Sequence, residues 1–176
     1  EAKLAEKFRL QGLTRQGMDG MDVDVLGGKD NLTDVNAVIG LHQLRQLEQF
    51  QNKRAMLAKY YFDKINQSNL VNKGVRLPVA DFENSNWHMF QIILPLERLG
   101  KTRSQIMLAL KELGIGTGVH YPIITNFELY RRLGYSPDST PIAAEIGGSI
   151  LTLPLFPSMS TADIDRVISG LEVVLA

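Results

Sequence analysis

One long stretch of helical periodicity limits the folds open to this chain more than any other feature. Its apolar residues recur with the period of a helix and are Leu32, Val35, Val38, Ile39, Leu44, Leu47, Phe50, Met56, Leu57, Tyr60, Tyr61 and Ile65. A helix of about thirty residues would measure about 45 Å. A single compact domain of this size does not need such a length. The pattern therefore predicts a connecting helix, interrupted near Gln51, that reaches a second domain or a second subunit.

Shorter elements are predicted on either side of this helix. Helices are expected at 1–11, 102–114, 142–150 and 160–175, and strands at 75–77, 87–94, 115–121 and 151–157. Glycine and aspartate dominate residues 14–30 without any period, which predicts a loop. This order predicts an α+β fold in which a few-stranded sheet carries helices on one face. We expect a helix and loop at 1–30, the connecting helix at 31–66, and a small C-terminal α+β domain at 67–176.

Composition excludes several classes of partner and site. The 176 residues are 44% hydrophobic, enough for one sizeable core. Nineteen basic and nineteen acidic side chains give a net charge of zero, so we expect no nucleic-acid partner. No apolar run is long enough for a membrane span. The absence of cysteine fits a reducing, cytoplasmic setting. The three histidines lack the spacing of metal ligands, so no metal site is expected.

The stretch from Gly27 to Leu44 has the chemistry of an anion site. Asn31, followed by Asp34 in the first turn, is typical of a helix N-cap. Such a start leaves free N–H groups and a positive dipole end, and Lys29 adds a full charge in front of them. The simpler interpretation is that Asn31 and Thr33 only cap the helix and that Lys29 is a solvated loop side chain.

The segment Ile115 to Tyr121, IGTGVHY, alternates in an unusual way. As a strand it would carry Gly116, Gly118 and His120 on one face, so that face is bare except for an imidazole. Glycines inside a strand often mark the close approach of a ligand, which makes His120 a candidate binding residue. Alternatively, the glycines accommodate a neighbouring helix and His120 is a satisfied interior group.

Several segments together resemble one enzyme family. They are NLTDVNAVIGLHQL, WHMFQIIL, LKELGIGTGVHYP, the LGY at 133–135, and LTLPLFPSMSTADIDRVI. In this order they are similar to the C-terminal part of the DegT/DnrJ/EryC1/StrS sugar aminotransferases, which are fold-type I enzymes that use pyridoxal 5'-phosphate (PLP). Within the family, NLTD and GIGTG followed by a histidine most resemble the subgroup that makes an amino-arabinose nucleotide for lipid A modification.

The resemblance implies a reversible transfer of an amino group from glutamate, which becomes 2-oxoglutarate, to a keto carbon of a nucleotide-linked sugar. It also implies a homodimer. The family's Schiff-base lysine lies upstream of the matched region, and no lysine here stands in its motif. The chain begins without methionine, inside a helical pattern, so we expect a further portion to precede it. We therefore expect no catalytic residue in this chain and no activity from it alone.

The resemblance also carries over site residues. Lys29 or Asn31 would contact the cofactor phosphate in the neighbouring subunit, and the pattern does not decide which of the two makes the contact. His120 matches the family's histidine near the substrate or amino-acceptor carboxylate, and Tyr121 follows it. His88, in the WHMF segment, is a further candidate for substrate binding, with a buried structural role as the alternative. The competing functional hypothesis is a non-catalytic interaction or regulatory module that has the same fold.

Overall fold

A computed structural model describes residues 1–18 and 20–176. The chain divides into two compact units, residues 1–47 and 48–176. Both units mix helices with short antiparallel strands, so the predicted α+β class is confirmed. None of the helices in the described part of the chain is long and apolar enough to cross a membrane.

The first unit consists of a helix, a hairpin and a second helix. In order they are α1 (Ala2–Arg9), β1 (Leu13–Gln16), β2 (Gly20–Val23) and α2 (Asp34–Arg45). The antiparallel pairing of β1 with β2 was not predicted. The glycines and aspartates of this stretch indicated a loop, although Met21, Val23 and Val25 alternate with Asp22 and Asp24.

Two glycines let the backbone of this unit fold closely upon itself. Gly12 has a φ of +73°, and a Cβ there would lie 1.8 Å from the carbonyl oxygen of Val25. A Cβ at Gly27 would lie 2.4 Å from the amide nitrogen of Gly12. The close approach that glycine permits at position 27 is therefore an approach to the chain's own backbone.

A small antiparallel sheet lies at the centre of the second unit. Its two strands are β3 (Phe90–Ile93) and β4 (Ile150–Leu153). Single-residue bridges extend it on both sides: Arg76 pairs with Ile93 in β3, and Gly118 pairs with Thr152 in β4. The predicted few-stranded sheet is thus present, although two of its four predicted strands contribute only one bridged residue each.

Helices make up most of the remainder of the second unit. They are α3 (Leu47–Gln67), which begins at the boundary between the units, α4 (Leu96–Leu99), α5 (Arg103–Glu112), α6 (Glu128–Arg132), α7 (Pro141–Ser149) and α8 (Thr161–Val174). Single 3-10 turns occur at Ile124–Asn126 and Pro137–Ser139. The predicted helices at 102–114, 142–150 and 160–175 correspond to α5, α7 and α8.

The predicted connecting helix is present as two helices. The break falls at Gln46, earlier than the expected Gln51. There the backbone N–H of Gln46 donates to the carbonyl of Gln43 at 3.0 Å, and the Gln46 side chain donates to the carbonyl of His42 at 3.4 Å. These bonds satisfy carbonyl groups at the end of α2, as a helix terminus requires.

An aromatic cluster joins α3 to β3. Tyr61 stacks on Phe90 at 4.7 Å between ring centroids, and Phe62 meets the edges of Phe90 and Trp87 at 5.3 and 5.6 Å. The Tyr61 hydroxyl donates to the carbonyl of Pro154 at 2.8 Å, and burial raises the pKa of Tyr61. Trp87 has a φ of +46° and is 3% exposed, and its indole nitrogen is buried without a hydrogen-bond partner among the described residues.

Two helices of the second unit begin with capping boxes. Thr102 and Gln105 form a capping box at the start of α5, and Ser160 and Asp163 form one at the start of α8. The Asp163 carboxylate accepts from the Ser160 backbone N–H at 2.8 Å and from its hydroxyl at 2.7 Å. These hydrogen bonds favour the charged form and hold the pKa of Asp163 below its ordinary value of 3.8.

We expect the cap of α8 to contribute to acid sensitivity. Because the folded-state pKa of Asp163 is lowered, its contribution to stability is complete above pH 3.8 and is lost as the pH falls below that value. Asp163→Asn should therefore flatten the fall in the free energy of unfolding on acidification, measured by urea denaturation at a series of pH values. Asp138→Asn, at an exposed carboxylate, controls for the loss of one charge. An unchanged acid profile in Asp163→Asn would contradict this role.

Candidate functional site

The candidate site is built on one row of residues that crosses the sheet of the second unit. Gln91 in β3 lies opposite Thr152 in β4, and Thr152 in turn is bridged to Gly118. Residues paired in this way point to the same face of a sheet. The Gly118 N–H donates to the carbonyl of Thr152 at 3.0 Å, and the Thr152 N–H donates to the carbonyl of Gly118 at 2.8 Å.

The imidazole of His120 occupies the space that a side chain at Gly118 would fill. A Cβ built at Gly118 would lie 2.8 Å from Cε1 of His120. Residues 115–121 do not form the predicted strand, because backbone pairing is limited to the bridge at Gly118. At Gly118, the bare face inferred from the sequence is therefore covered by the chain's own histidine.

Side chains from both central strands hold His120 in place. Nδ1 of His120 lies 2.9 Å from Oγ1 of Thr152, which is buried. The side-chain amide of Gln91 donates to the backbone carbonyl of His120 and lies 3.5 Å from Oγ1 of Thr152. The half-buried imidazole is thus fixed at Nδ1, and no described residue hydrogen-bonds its Nε2.

A groove of about 480 Å³ opens beside this histidine. His120 and Tyr121 line it together with Thr125 and the apolar side chains of Ile123, Ile146 and Ile150. The Thr125 hydroxyl is buried without a hydrogen-bond partner among the described residues. No aspartate, glutamate, lysine or arginine lines this groove, and its polar side chains are those of His120, Tyr121, Thr125 and Thr140. Such a groove suits a ligand with an apolar portion and an oxygen atom that can meet the imidazole.

His88 lies outside this groove. It is exposed and precedes β3, so the buried structural role that was considered for it is wrong. The strand begins at Phe90 rather than Trp87 because Trp87 has a positive φ and the Asn86 side chain accepts from the His88 backbone N–H at 2.9 Å. This local turn replaces the strand pairing expected there.

Lys29 and Asn31 lie in the first unit, and both are exposed. The expected capping role of Asn31 is wrong, whereas that of Thr33 is confirmed: the Thr33 Oγ1 accepts from the Asn36 N–H at 3.3 Å at the start of α2. Neither Lys29 nor Asn31 uses its side chain in a hydrogen bond to a described residue. An ammonium and an amide are both donors that a phosphate group can accept from, so the chemistry of this pair fits a phosphate ligand.

The sequence contained no signal for two residues of the site. Gln91 and Thr152 reach His120 only because the strand register sets them side by side, and their residue types alone do not predict that contact. The alternation of IGTGVHY, by contrast, did direct attention to His120. Within the described residues, no group of three or more histidine, aspartate or glutamate side chains is placed to hold a metal ion.

The fold occurs in solved aminotransferases. Spr1654 from Streptococcus pneumoniae, assigned as a sugar aminotransferase, matches in its apo form with a TM-score of 0.85 at 24% identity over 98% of this chain and 42% of its own. Helicobacter pylori PseC, an aminotransferase of pseudoaminic acid biosynthesis, matches with a TM-score of 0.84 at 19% identity over 99% and 47%. NtdA from Bacillus subtilis, solved with PMP bound, matches with a TM-score of 0.76 at 28% identity over 96% and 38%.

These matches define the architecture as that of the C-terminal part of PLP-dependent aminotransferases. The chain belongs to the DegT/DnrJ/EryC1/StrS aminotransferase family, whose sequence profile matches residues 1–172. PLP is the cofactor of this family, and Spr1654 has been solved in both its PLP and PMP forms. The chain spans less than half the length of each of the three structures above.

The space at Gly118 can be tested by adding a methyl group. Gly118→Ala should push the imidazole of His120 away from Thr152 and lower the free energy of unfolding by about 1–3 kcal/mol, as overpacking does. Gly116→Ala is the matched control, because no atom lies within 4 Å of a Cβ built there. We expect it to change stability by about 0.5 kcal/mol or less. Equal effects of the two substitutions, measured by chemical denaturation, would show that Gly118 makes no special room for His120.

Proposed function

We propose that this chain is the C-terminal part of a PLP-dependent aminotransferase that acts on nucleotide-linked sugars. The enzyme would transfer an amino group from glutamate to a keto carbon of the sugar and release 2-oxoglutarate. The observation that carries this proposal is the family match over residues 1–172, supported by the fold shared with sugar aminotransferases.

In this proposal, the catalytic lysine belongs to a large domain that precedes the present sequence. Residues 1–30 continue from that domain, and residues 67–176 form the small domain. Residues 31–66 connect the two. When bound, PLP supplies the electron sink for the amino transfer. The 176-residue chain would help to bind and orient the cofactor and the substrate but carries no catalytic residue, so we expect it to be inactive alone.

Lys29 and Asn31 would bind the phosphate of the cofactor held by a partner subunit. Their exposure and their lack of side-chain hydrogen bonds to described residues leave both free to donate to such a group. The homodimer this requires is supported by α2, on which Val35, Val38 and Ile39 are exposed although apolar. Apolar side chains grouped on one exposed helix are typical of a surface that another domain or subunit covers.

His120 and Tyr121 would contact the substrate at the groove of the second unit. The support is geometric: the imidazole is held at Nδ1 by Thr152, Tyr121 is 68% exposed, and both residues line the groove. His88 is exposed and available for a ligand, so its role in substrate binding is kept as part of the proposal.

The most specific form of the proposal concerns the sugar. The motif NLTD, and GIGTG followed after one residue by His120, favour UDP-4-amino-4-deoxy-L-arabinose–oxoglutarate aminotransferase, an enzyme of lipid A modification and lipopolysaccharide biosynthesis. The alternative substrates are nucleotide-linked sugars that serve the biosynthesis of other cell-envelope components or of antibiotics. Nucleotide-linked sugars and glutamate are cytoplasmic metabolites, so the enzyme would act in the cytoplasm.

The activity can be assayed directly in the intact protein that contains this sequence. With glutamate and a panel of nucleotide-linked keto-sugars, we expect release of 2-oxoglutarate and one preferred sugar, the UDP-linked 4-keto pentose. The 176-residue chain alone should show no turnover and no stable absorbance band at about 400 nm with PLP, because the Schiff-base lysine is elsewhere. Failure of the intact protein with every sugar would favour a non-catalytic module instead.

The phosphate contact can be tested by two substitutions in the same intact protein. Lys29→Ala and Asn31→Ala each remove one donor, and loss of the one that contacts phosphate should weaken PLP retention by about 10-fold or more. Lys3→Ala, at an exposed lysine of α1, controls for the loss of a surface charge. Retention can be measured by equilibrium dialysis. Unchanged retention in both variants would remove the anion site from the proposal.

A further inference from the structure

We propose that Thr152 and Gln91 are positioning residues that fix the neutral imidazole of His120 as the Nε2–H tautomer. Nε2 then donates a hydrogen bond into the groove, so the ligand atom it meets is an oxygen acceptor. The tautomer is a property of this chain's own residues. Its use in binding substrate rests on the proposed function.

The first step is the orientation of the Gln91 amide. Its Nε2 donates to the backbone carbonyl of His120, and a carbonyl accepts but never donates. The nitrogen end of the amide therefore faces His120, and the second amide hydrogen is available to Oγ1 of Thr152, 3.5 Å away. Gln91 thus acts as a donor toward both of its neighbours.

The second step is the direction of the Thr152 hydroxyl. Thr152 is a buried residue, and the partners of its hydroxyl among the described residues are the Gln91 amide, which is a donor, and Nδ1 of His120 at 2.9 Å. Only Nδ1 can accept the hydroxyl hydrogen. If Nδ1 carried a hydrogen instead, the hydroxyl would be a buried donor without an acceptor, which is unfavourable. Thr152 therefore donates to Nδ1.

The third step follows from the chemistry of neutral imidazole, in which one ring nitrogen accepts and the other donates. With Nδ1 accepting, Nε2 carries the hydrogen. Nε2 has no hydrogen-bond partner among the described residues, and His120 lines the groove. The matching ligand group is a carboxylate, keto or hydroxyl oxygen. The proposed function, in which His120 lies near the carboxylate of the amino donor, makes this atom a carboxylate oxygen. A negatively charged acceptor forms the stronger bond, and no charged side chain of the groove competes for it.

The tautomer can be measured without any substrate. In the intact protein labelled with ¹⁵N in its histidine rings, two-bond proton–nitrogen correlations distinguish the Nε2–H from the Nδ1–H form, and His120→Gln identifies the signals of His120. We expect the Nε2–H form in the native protein and in Thr152→Ser, which keeps the hydroxyl. In Thr152→Val, which has nearly the same shape, the Nδ1–H form should become populated. An Nδ1–H form in the native protein would overturn the assignment, even if Thr152→Val failed to fold.

The role in binding is tested separately by steady-state kinetics on the intact enzyme. A glutamine side chain can place an amide N–H close to Nε2 of histidine, whereas asparagine reaches only as far as Nδ1. We expect His120→Asn to raise KM for glutamate by about 10- to 100-fold, with a smaller rise in His120→Gln and little change in KM for the sugar. A rise confined to the sugar, or no rise at all, would overturn the carboxylate assignment while leaving the tautomer and the aminotransferase activity intact.

Discussion

The register between β3 and β4 determines both the core and the candidate site of the second unit. Phe90 lies opposite Leu153 and Ile92 opposite Leu151, and all four side chains are buried. Because strand residues alternate between faces, this pairing sends Gln91 and Thr152 to the other face together. A shift of one residue would expose the apolar set and separate the polar pair. The hydrophobic core therefore selects the arrangement that holds His120.

The parts of the fold that could be predicted from sequence are those set by local chemistry. The starts of α5 and α8 could be predicted because a helix cap depends on residues within one turn of each other, as the capping boxes at Thr102 and Ser160 show. The hairpin of the first unit was missed because its glycines and aspartates indicated a loop, despite the short alternation of Met21 and Val23 with Asp22. The break at Gln46 was expected further along, since the apolar period continues through it. Where an element depends on partners distant in sequence, the local pattern does not predict it.

The candidate site was predicted only in part, and for the same reason. Glycines alternating with His120 suggested a bare face, and the structure shows that the imidazole itself covers it at Gly118. Thr152 and Gln91 join the site through strand pairing, which no short motif encodes. At the start of α2, Asn31 and Thr33 both have capping chemistry, and the local pattern did not decide that Thr33 alone is the cap. The roles of Lys29, Asn31, His88, His120 and Tyr121 in binding stay predictions.

Because of its surroundings, Trp87 is an intrinsic fluorescent probe of the aromatic cluster. It is the single tryptophan of the chain and sits among Phe62, Phe82 and Phe90, almost fully shielded from water. Indole fluorescence is sensitive to the polarity around the ring, so its emission would move to longer wavelength when this cluster opens. Since the fluorophore belongs to residues 48–176, the emission follows the integrity of that unit without any label.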